Sequence, residues 1–465
     1  MSKTAKVRVR VAPSPTGHLH IGTAQSALYN WLFARKHNGQ FLLRIEDTDK
    51  ERSTKEYEQS IFEALKWLDL KWDEEPAIQS KNLPRHQEML EKLVKEDKAF
   101  YCHHTKEELE TERREQEEHK EAPRHICSHK KESRGKESGG IIRLAVDENS
   151  DRVISFEDQI RGRVEFKMNL LGDFAIARAI DDPLYHFAVA VDDADMAITN
   201  VLRGEDHISN TPKHILIYEA LGFTLPVFAH LPLILASDRS KLSKRHGDTA
   251  VLSYKKDYLP EAVINFLGAL SYTFSKEIIS KEEMVEEFEL AKVHKSGAIF
   301  DIKKLNWINS QYIRKMSAGG FKKAVGIDEI PDNAVPLIIE RLEKLSDVKD
   351  FEYLWKEPEY DSKLLIWPPK ASLAKGGKDS PKEDVIKSLK EVKDIIEKGN
   401  FESLREDLDE LGKKLGNRGL AYWPLRVALT GKDKSPDPVQ VASVLNKDQV
   451  LDRIKVAIKK LGVLV

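Results

Sequence analysis

The sequence predicts an α/β fold followed by a helical C-terminal part, and three observations carry that prediction. A strand, a turn, a helix and a second strand follow one another within the first 45 residues, which is the order of a βαβ unit. A continuous apolar run from Leu231 to Leu235 is typical of a buried parallel strand. Beyond about residue 255, apolar residues recur with the period of a helix.

The N-terminal βαβ unit is predicted from periodicity and turn residues. Valines alternate with charged residues over 6–12, which indicates a strand. Two prolines and a glycine within 13–17 exclude regular structure there. A helix from about Thr23 to Lys36 follows, with Thr23 as its predicted cap, and residues 41–45 form the second strand.

In the rest of the chain, predicted helices and strands follow one another in a less regular order. Residues 51–97 read as helical, the charged stretch 105–121 as a solvated helix, and 141–190 as a β-containing insertion. A helix is predicted over 211–221, and a linker or loop over the proline-bearing stretch 355–382. Further helices are predicted around 260–270, 281–290, 335–347, 383–398, 401–414 and 439–462.

Composition bounds the class of protein. A chain of 465 residues is too long for one core, and a hydrophobic fraction of 40% is enough for several. The net charge of −2 gives no global basic field, so any RNA contact must be a local patch. Two cysteines cannot form a disulfide framework, and no apolar run reaches the ~20 residues of a membrane span. A cytoplasmic protein without a membrane partner is expected.

The first candidate motif lies in the turn between the first strand and its helix. Residues 13–23 read Pro-Ser-Pro-Thr-Gly-His-Leu-His-Ile-Gly-Thr. Ligands of α/β sheets bind at the carboxyl ends of strands, and the start of the next helix attracts phosphate. Gly22 allows a nucleotide to approach the backbone, and His20 can donate a ring N–H to a phosphate oxygen. The spacing is neither a Walker loop nor a dinucleotide fingerprint.

The second candidate motif is a cationic loop about 220 residues later. Residues 241–247 read Lys-Leu-Ser-Lys-Arg-His-Gly. Three cations with a hydroxyl between them suit a polyphosphate, with lysine acting as a mobile point charge. Either motif alone is weak, because a lysine-rich loop is most often a solvated surface. The pair, at two strand ends of one α/β domain, points to a nucleotide.

Together these motifs resemble the two hallmarks of class I aminoacyl-tRNA synthetases, His-Ile-Gly-His and Lys-Met-Ser-Lys-Ser, with Thr23 and Leu242 as departures. Finer features are similar to the bacterial glutamyl type. They are Pro-Ser-Pro-Thr-Gly, residues 44–49 with 51–52, residues 185–187 with 191–193, and residues 201–207. The resemblance is specific from residue 7 to about 310 and weaker beyond, where residues 423–431 still resemble an anticodon-binding region.

The resemblance implies a Rossmann-type catalytic domain with an α+β insertion, then a helical stem-contact region and an all-α anticodon-binding domain. The implied parts are the first half of the catalytic domain, the acceptor-binding insertion, the second half of the catalytic domain, the stem-contact region and the anticodon domain. Their expected bounds are 1–97, 98–190, 191–255, 256–318 and 319–465.

The resemblance also assigns the residues of an amino-acid site, and the charges agree with glutamate. Glutamate needs fixed cations for its side-chain carboxylate and an anion for its ammonium. Arg10 and Arg203 suit the carboxylate, and Glu46 suits the ammonium, while Ser14 and Tyr185 supply hydrogen bonds. An amide in place of the carboxylate would leave a buried arginine poorly paired, which would exclude glutamine.

The implied activity is ligation of L-glutamate to the 3′-terminal adenosine of the glutamate tRNA, through glutamyl-adenylate, with release of pyrophosphate and AMP. ATP with Mg²⁺ is the implied cofactor, and misacylation of the glutamine tRNA is left open. The resemblance implies a monomer that needs bound tRNA to activate glutamate. Catalytic roles fall to His20, Lys241 and Lys244, and ATP contacts to His20, Gly22, Thr23, Lys241, Ser243, Lys244 and Arg245.

Both cysteines lie in the predicted insertion, and each stands two residues before a histidine. Two Cys and two His suit tetrahedral zinc, although the gap is tighter than the usual knuckle spacing. Some glutamyl synthetases carry such a site, with a cysteine where His104 stands here. One zinc per chain is therefore predicted, with His103 and His125 as alternative ligands to the set Cys102, His104, Cys127 and His129.

The C-terminal part is expected to contact the anticodon stem. Candidate phosphate and stacking groups are Lys363, Lys370, Lys375, Lys378 and Lys382, with Trp355, Trp367 and Trp423. Three other functions remain open: a paralogue that glutamylates a tRNA base, a tRNA-binding protein without catalysis, and a different nucleotidyltransferase. The length of the C-terminal part disfavours the first, and the intact motifs disfavour the second. The glutamate-site residues and the chain length disfavour the third.

Overall fold

The computed structural model describes residues 6–132, 138–243, 245, 248–367 and 380–462. The chain forms two compact units, Met1–Ile308 and Asn309–Val465. In the described residues, no helix is both long enough and apolar enough to cross a membrane.

The first unit contains both sheets and helices. Its strands are β1 (Arg8–Val11), β2 (Gln40–Ile45), β3 (Ala77–Ile78), β4 (Ala99–Cys102), β5 (Ile141–Leu144), β6 (Val153–Asp158), β7 (Gly162–Lys167), β8 (Ala175–Ala179), β9 (Asp182–Pro183), β10 (Asn200–Gly204), β11 (Val227–Leu231), β12 (Ile234–Leu235) and β13 (Ala298–Ile299). Its helices are α1 (Ile21–Lys36), α2 (Lys55–Trp67), α3 (Leu83–Lys95), α4 (Lys106–Glu118), α5 (Tyr185–Asp195), α6 (Thr211–Leu221), α7 (Pro260–Leu270) and α8 (Lys281–Glu287), and α9 (Ile302–Ile313) crosses the division between the units.

The central sheet is parallel, as the βαβ pattern predicts. Strand β1 pairs with β2, and β2 pairs with β3. A hydrogen bond of 3.0 Å from Thr199 N to Arg8 O brings the start of β10 beside β1, and β10 pairs with β11. Val9 and Phe41 are fully buried between the sheet and its helices, so hydrophobic burial holds these strands together. The carboxyl ends of β1 and β10 thus lie side by side.

The predicted insertion contains a four-stranded antiparallel sheet and an antiparallel hairpin. Strands β4, β5, β8 and β9 form one sheet, and β6 and β7 form a hairpin. The hairpin joins the sheet of the catalytic part, because Asp158 at the end of β6 pairs with Phe228 of β11. Helix α4 has no buried residue, which confirms the solvated helix predicted over 105–121.

Three local predictions were wrong in detail. Helix α1 begins at Ile21, and its cap is His20 rather than Thr23. The expected strand Leu231–Leu235 is two strands, β11 and β12, because Pro232 has no N–H to donate to a ladder. The region 51–97 is not one helix, since β3 and a 3₁₀ helix at Gln79–Asn82 separate α2 from α3.

The second unit is helical. Its helices are α10 (Ala318–Val325), α11 (Val335–Ile339), α12 (Lys382–Lys398), α13 (Leu404–Lys414), α14 (Arg418–Thr430), α15 (Pro438–Val444) and α16 (Lys447–Lys460). Most predicted helices are present, although the one expected over 335–347 ends early and 439–462 is divided in two. Leu389, Leu408, Leu425 and Ile454 are fully buried, so α12, α13, α14 and α16 share a core. Residues 368–379 of the predicted linker lie outside the described ranges.

Candidate active site

A cleft of about 500 Å³ opens at the carboxyl ends of β1 and β10. It lies where an α/β sheet is expected to bind its ligand. The cleft brings together nine of the residues singled out from the sequence: Arg10, Ser14, His20, Gly22, Thr23, Glu46, Tyr185, Arg203 and Lys241. Ser243 and Arg245 are described but do not line it, and Lys244 lies outside the described residues.

The first motif forms the start of α1. The His20 ring caps the helix, with its Nδ1 accepting a hydrogen bond of 3.0 Å from Gly22 N. Because Nδ1 accepts, the ring hydrogen is on Nε2, the atom that can donate to a phosphate. A Cβ on Gly22 would lie 3.4 Å from His20 Nδ1, in contact with the capping ring. The positive end of the α1 dipole adds a second attraction for anions.

Backbone hydrogen bonds bring the two motifs together. Ile21 N donates to Thr249 O at 2.9 Å, and Val251 N donates to Leu19 O at 2.9 Å. These bonds join the first motif to the segment that follows the cationic loop. The loop itself starts in a tight turn, since Leu242 N donates to Ile234 O at 3.0 Å and sets Lys241 beside the end of β12. Main-chain hydrogen bonds thus bring together two motifs that are about 220 residues apart in the sequence.

A buried network of charges lies under the cleft. Arg10 donates from Nε and Nη2 to the two carboxylate oxygens of Asp193, at 2.9 and 3.0 Å. Arg44 Nη1 donates to the same carboxylate at 2.6 Å, and Arg44 Nη2 donates to Glu46 at 2.9 Å. The side chains of Arg10, Arg44, Glu46 and Asp193 are each at most 8% exposed. Arg10 and Glu46 therefore face the cleft from fixed positions.

The network sets the charge of its carboxylates. Burial alone would raise the pKa of the Asp193 carboxyl, but the charges of Arg10 and Arg44 lower it to about 2. Burial raises the pKa of Glu46 above its usual value, because the opposing charge of Arg44 offsets only part of the desolvation. A bound ammonium would favour the ionised form of Glu46. The neighbouring Asp192 accepts hydrogen bonds of 2.7 Å from Gln79, Asn82 and His86.

Arg203 meets a different environment. Its guanidinium donates to Thr211 Oγ1, His214 Nδ1, His230 Nε2 and the carbonyl oxygen of His207, at 2.8, 3.2, 3.3 and 3.4 Å. Among the described residues it forms no ion pair, although it is only 7% exposed. Tyr185, at the rim of the cleft, contacts the ring of His207 through its hydroxyl at 3.2 Å. Arg203 is therefore a buried cation with uncharged partners.

Comparison with known proteins identifies the family of this chain. The profile of tRNA synthetases class I (E and Q), catalytic domain, matches residues 6–307, and that of an anticodon binding domain matches residues 283–458. The first match covers more than half of the chain. The chain belongs to the class I tRNA synthetases (E and Q). The family predicted from the two motifs is confirmed, and so is the fold class.

Relatives of this class I synthetase match along its whole length. It is 39% identical to a glutamate–tRNA ligase of Desulforamulus reducens, over 97% of this chain and 100% of that one. It is 41% identical to one of Carboxydothermus hydrogenoformans, over 96% and 99%. A solved structure of a glutamate tRNA ligase from Elizabethkingia meningosepticum, in complex with its amino acid, superposes with a TM-score of 0.83 at 33% identity, over 98% and 100%.

A second cluster of chemically active side chains lies in the insertion of the synthetase. Cys102, His104, His125 and Cys127 bring their ligand atoms within 4.8 Å of one another. Cys102 Sγ lies 3.4 Å from His104 Nδ1 and 3.5 Å from His125 Nε2, and Cys127 Sγ lies 3.6 Å from His104 Nδ1. Zinc bonds of about 2.3 Å to sulfur and about 2.0–2.1 Å to nitrogen, at a tetrahedral angle, give edges of roughly that length. Both cysteines are buried, so the donor set and its spacing fit a zinc ion.

The structure differs from the predicted ligand set in one residue. His125 lies with the two cysteines and His104, whereas His129 does not, because its Nδ1 accepts from His103 N at 3.1 Å. After Cys127 the chain enters a 3₁₀ helix at Ser128–Lys131, and the ring of His129 packs against that of His104 at a centroid distance of 4.5 Å without joining the group of ligand atoms. Glu112 of α4 contacts His125 Nδ1 at 2.5 Å and leaves Nε2 toward the cluster.

In the second unit, the candidate RNA-contacting residues include both core residues and surface residues. Trp423 is 7% exposed, and its indole donates to Leu364 O at 2.8 Å, so it is a core residue. Its ring lies 5.5 Å from that of Trp367, which is partly exposed. Lys363 is exposed, while Lys370, Lys375 and Lys378 lie outside the described residues.

Sequence reasoning missed the residues that support the site. Arg44 and Asp193 belong to the quoted family strings but received no role, and His214 and His230 were not singled out. Asp193 is 183 residues from Arg10, so no local pattern links them. A signal did exist, since two consecutive aspartates in an apolar helix such as α5 are expensive to bury without partners.

Proposed function

We propose that this synthetase joins L-glutamate to the 3′-terminal adenosine of the glutamate tRNA with ATP. The observation that carries the proposal is the charge arrangement of the cleft. Two buried arginines and one buried glutamate lie beside a helix start suited to phosphate. The relatives named glutamate–tRNA ligase, which match nearly the whole chain, support the same amino acid.

The cleft divides the groups of glutamate among its residues. The side-chain carboxylate is placed between Arg10 and Arg203, and the ammonium beside Glu46. Ser14 and Tyr185 complete the set with hydrogen bonds. Glutamine would be rejected because an amide cannot compensate the charge of a buried arginine. Exclusion thus depends on charge, since the two amino acids have nearly the same shape.

The first step is attack of the glutamate α-carboxylate oxygen on the α-phosphorus of ATP. The bond from that phosphorus to the bridging oxygen breaks, and pyrophosphate leaves. The carboxylate is already ionised at neutral pH, so no general base is needed. In the second step a ribose hydroxyl of the terminal adenosine attacks the acyl carbon, and AMP leaves. The enzyme contributes positions and charges.

The phosphates lie between the two motifs. His20 Nε2 donates to a phosphate oxygen, and the positive end of the α1 dipole, at the turn of Gly22 and Thr23, attracts the phosphates. Lys241, Ser243, Lys244 and Arg245 of the cationic loop are assigned to the other phosphate oxygens, and Lys241 and Lys244 to the charge on the leaving pyrophosphate. Bound Mg²⁺ supplies further neutralisation of phosphate charge.

We infer that the insertion holds one structural zinc through Cys102, His104, His125 and Cys127. Four protein ligands leave no open position, which is the arrangement of a structural site. Glu112 orients His125 as carboxylates do for metal-binding histidines. The ion would join β4 to the loop before β5 and so hold the insertion in shape.

The five-part division with bounds at 97, 190, 255 and 318 is proposed as the functional organisation. The insertion binds the acceptor end, the region 256–318 contacts the stem, and the helical remainder reads the anticodon. The match of residues 283–458 to an anticodon binding domain supports the last assignment. A monomer that acts in the cytoplasm on the glutamate tRNA, with the glutamine tRNA as a second substrate to be tested, completes the proposal.

The test is aminoacylation with labelled glutamate, ATP and Mg²⁺, with glutamate tRNA and glutamine tRNA supplied separately. Label on the glutamate tRNA alone makes the enzyme discriminating, and label on both makes it non-discriminating. A parallel reaction uses tRNA whose terminal ribose has been opened by periodate. A synthetase must lose all label with it, whereas a base-glutamylating enzyme would keep it. Absence of label on both intact tRNAs would refute the proposal.

A further inference from the structure

The guanidinium of Arg203 is held by groups that carry no charge. His214 accepts from Nη1, His230 from Nε and Thr211 from Nη2. Burial lowers the pKa of both His214 and His230, so each ring is neutral and can accept. Arg10, by contrast, has two of its nitrogens on the carboxylate of Asp193. Of the two arginines, Arg203 is the one whose charge is left for a ligand.

A neutral histidine accepts through only one ring nitrogen, so something must fix which one. For His230 that group is Asp158. Its Oδ2 accepts from His230 Nδ1 at 2.6 Å, and both side chains are 0% exposed. With the hydrogen held on Nδ1, the lone pair of Nε2 faces Arg203 Nε at 3.3 Å. Carboxylates orient metal-binding histidines in the same way.

Asp158 is itself fixed by the backbone. Its Oδ1 accepts from Ile160 N at 3.0 Å, Arg161 N at 2.8 Å and His230 N at 3.2 Å. Burial alone would raise the pKa of the Asp158 carboxyl, but its hydrogen bonds hold that pKa below the usual value, so the group stays ionised. The carboxylate is a rigid acceptor at the end of β6, where the hairpin meets β11.

We propose that Asp158 and His230 are positioning residues that hold Arg203 as the cation that selects glutamate over glutamine. The inference rests on the proposed placement of the side-chain carboxylate at Arg203. Asp158 orients Arg203 through an intervening ring, so it fixes the direction of the guanidinium without forming an ion pair with it. An aspartate in direct contact would compensate the charge and weaken the preference for a carboxylate over an amide.

Asp158→Asn is the sharpest test, because it changes one atom type and keeps the shape. The amide oxygen of the variant can still accept from the backbone, and the amide NH₂ then faces His230 Nδ1. The ring hydrogen moves to Nε2, which opposes the Arg203 N–H. We expect the KM for glutamate in aminoacylation to rise by about tenfold or more, the size of one hydrogen bond to a charged group. The kcat should change by less than about threefold, since binding of the ground state is what is lost.

The preference for glutamate over glutamine is a measurement that distinguishes a positioning role from a merely structural one. Inhibition by glutamine should stay within about twofold in Asp158→Asn, because an amide gains little from the charge of Arg203. The preference for glutamate over glutamine therefore falls. His230→Gln added to Asp158→Asn restores an acceptor toward Arg203 Nε and should recover most of the KM. If Asp158 and His230 only maintained the fold, the second substitution would raise the glutamate KM further instead of restoring it.

The controls separate this inference from the proposed function. Asp73→Asn removes another carboxylate of the same unit, paired with Arg35 and outside the cleft, and should leave both constants unchanged. Arg203→Gln tests the site itself. An unchanged glutamate KM in Arg203→Gln refutes the placement of the carboxylate. A raised KM there, with parental values in Asp158→Asn, refutes the positioning role alone. If Asp158→Asn does not fold, His230→Leu, which has no acceptor, must raise the KM.

Discussion

Lys241 Nζ lies 2.8 Å from Asp206 Oδ2 at the edge of the cleft. The lysine assigned to the leaving pyrophosphate is therefore paired with a carboxylate. The two side chains are 60% and 41% exposed, so the pair contributes about 1 kcal/mol or less to stability. A polyphosphate carries more charge than Asp206 and can take the lysine from it.

Lys241→Ala should lower kcat by about a hundredfold, by analogy with removal of one donor to a developing oxyanion. The glutamate KM should change little, because Lys241 acts on the phosphates. The measurement is aminoacylation at saturating tRNA with glutamate and ATP varied in turn. Lys255→Ala is the matched control, since Lys255 forms a similar surface pair with Glu63. A near-parental kcat in Lys241→Ala would remove this residue from the mechanism.

Asp193→Asn should destabilise the first unit by about 3–5 kcal/mol, the range for removing one partner of a buried ion pair. Arg10 and Arg44 would each lose a charged partner at positions less than 6% exposed. Urea unfolding, followed by far-ultraviolet circular dichroism, measures the change. Asp49→Asn breaks an exposed pair with Arg52 and should shift the unfolding curve far less, because solvent screens that pair. Equal losses in the two variants would contradict the account.

The same residue gives a prediction for acid. The pKa of Asp193 is about 2 in the fold, and an unfolded aspartate titrates near 3.9. A lowered pKa stabilises the fold fully above about pH 4, and the stabilisation is lost as pH falls toward 2. The parent should therefore lose about 1 kcal/mol more than Asp193→Asn between pH 5 and pH 3, which is roughly half of the full effect. Urea unfolding at pH 5, 4 and 3 tests it, and parallel curves would contradict it.

Features coded by neighbouring residues could be predicted from the sequence. The βαβ unit, the turn after β1 and helix α6 follow from periodicity and turn residues, and α6 has the predicted bounds. Contacts between distant residues could not be predicted. His230 and Asp158 are 72 residues apart, and the strand that brings them together was predicted four residues too late. The first motif predicted the strand end at which the cleft opens, but the groups that surround Arg10 and Arg203 depend on packing.

The cluster of Cys102, His104, His125 and Cys127 shows the same limit within the insertion. The resemblance to the Cys-x-His layout of some glutamyl synthetases favoured His129, two residues after Cys127. His125 stands at the same distance on the other side of Cys127, and the fold brings that histidine to the cluster. Glu112, which lies on α4 and 13 residues before His125, is the partner that the sequence does not reveal.

His125→Ala should therefore lower the zinc content to well below one per chain, whereas His129→Ala should keep it, because His125 places a ring nitrogen in the group of ligand atoms and His129 does not. Metal analysis after dialysis against a weak chelator measures the difference. Cys127→Ser is the positive control, since it removes a thiolate ligand. Retention of zinc in His125→Ala together with loss in His129→Ala would show that the metal-bound insertion uses the other histidine. Absence of zinc from the parent protein would refute the site, because Sγ and ring-nitrogen atoms at 3.4–3.6 Å would then be only a cluster of hydrogen-bonded side chains.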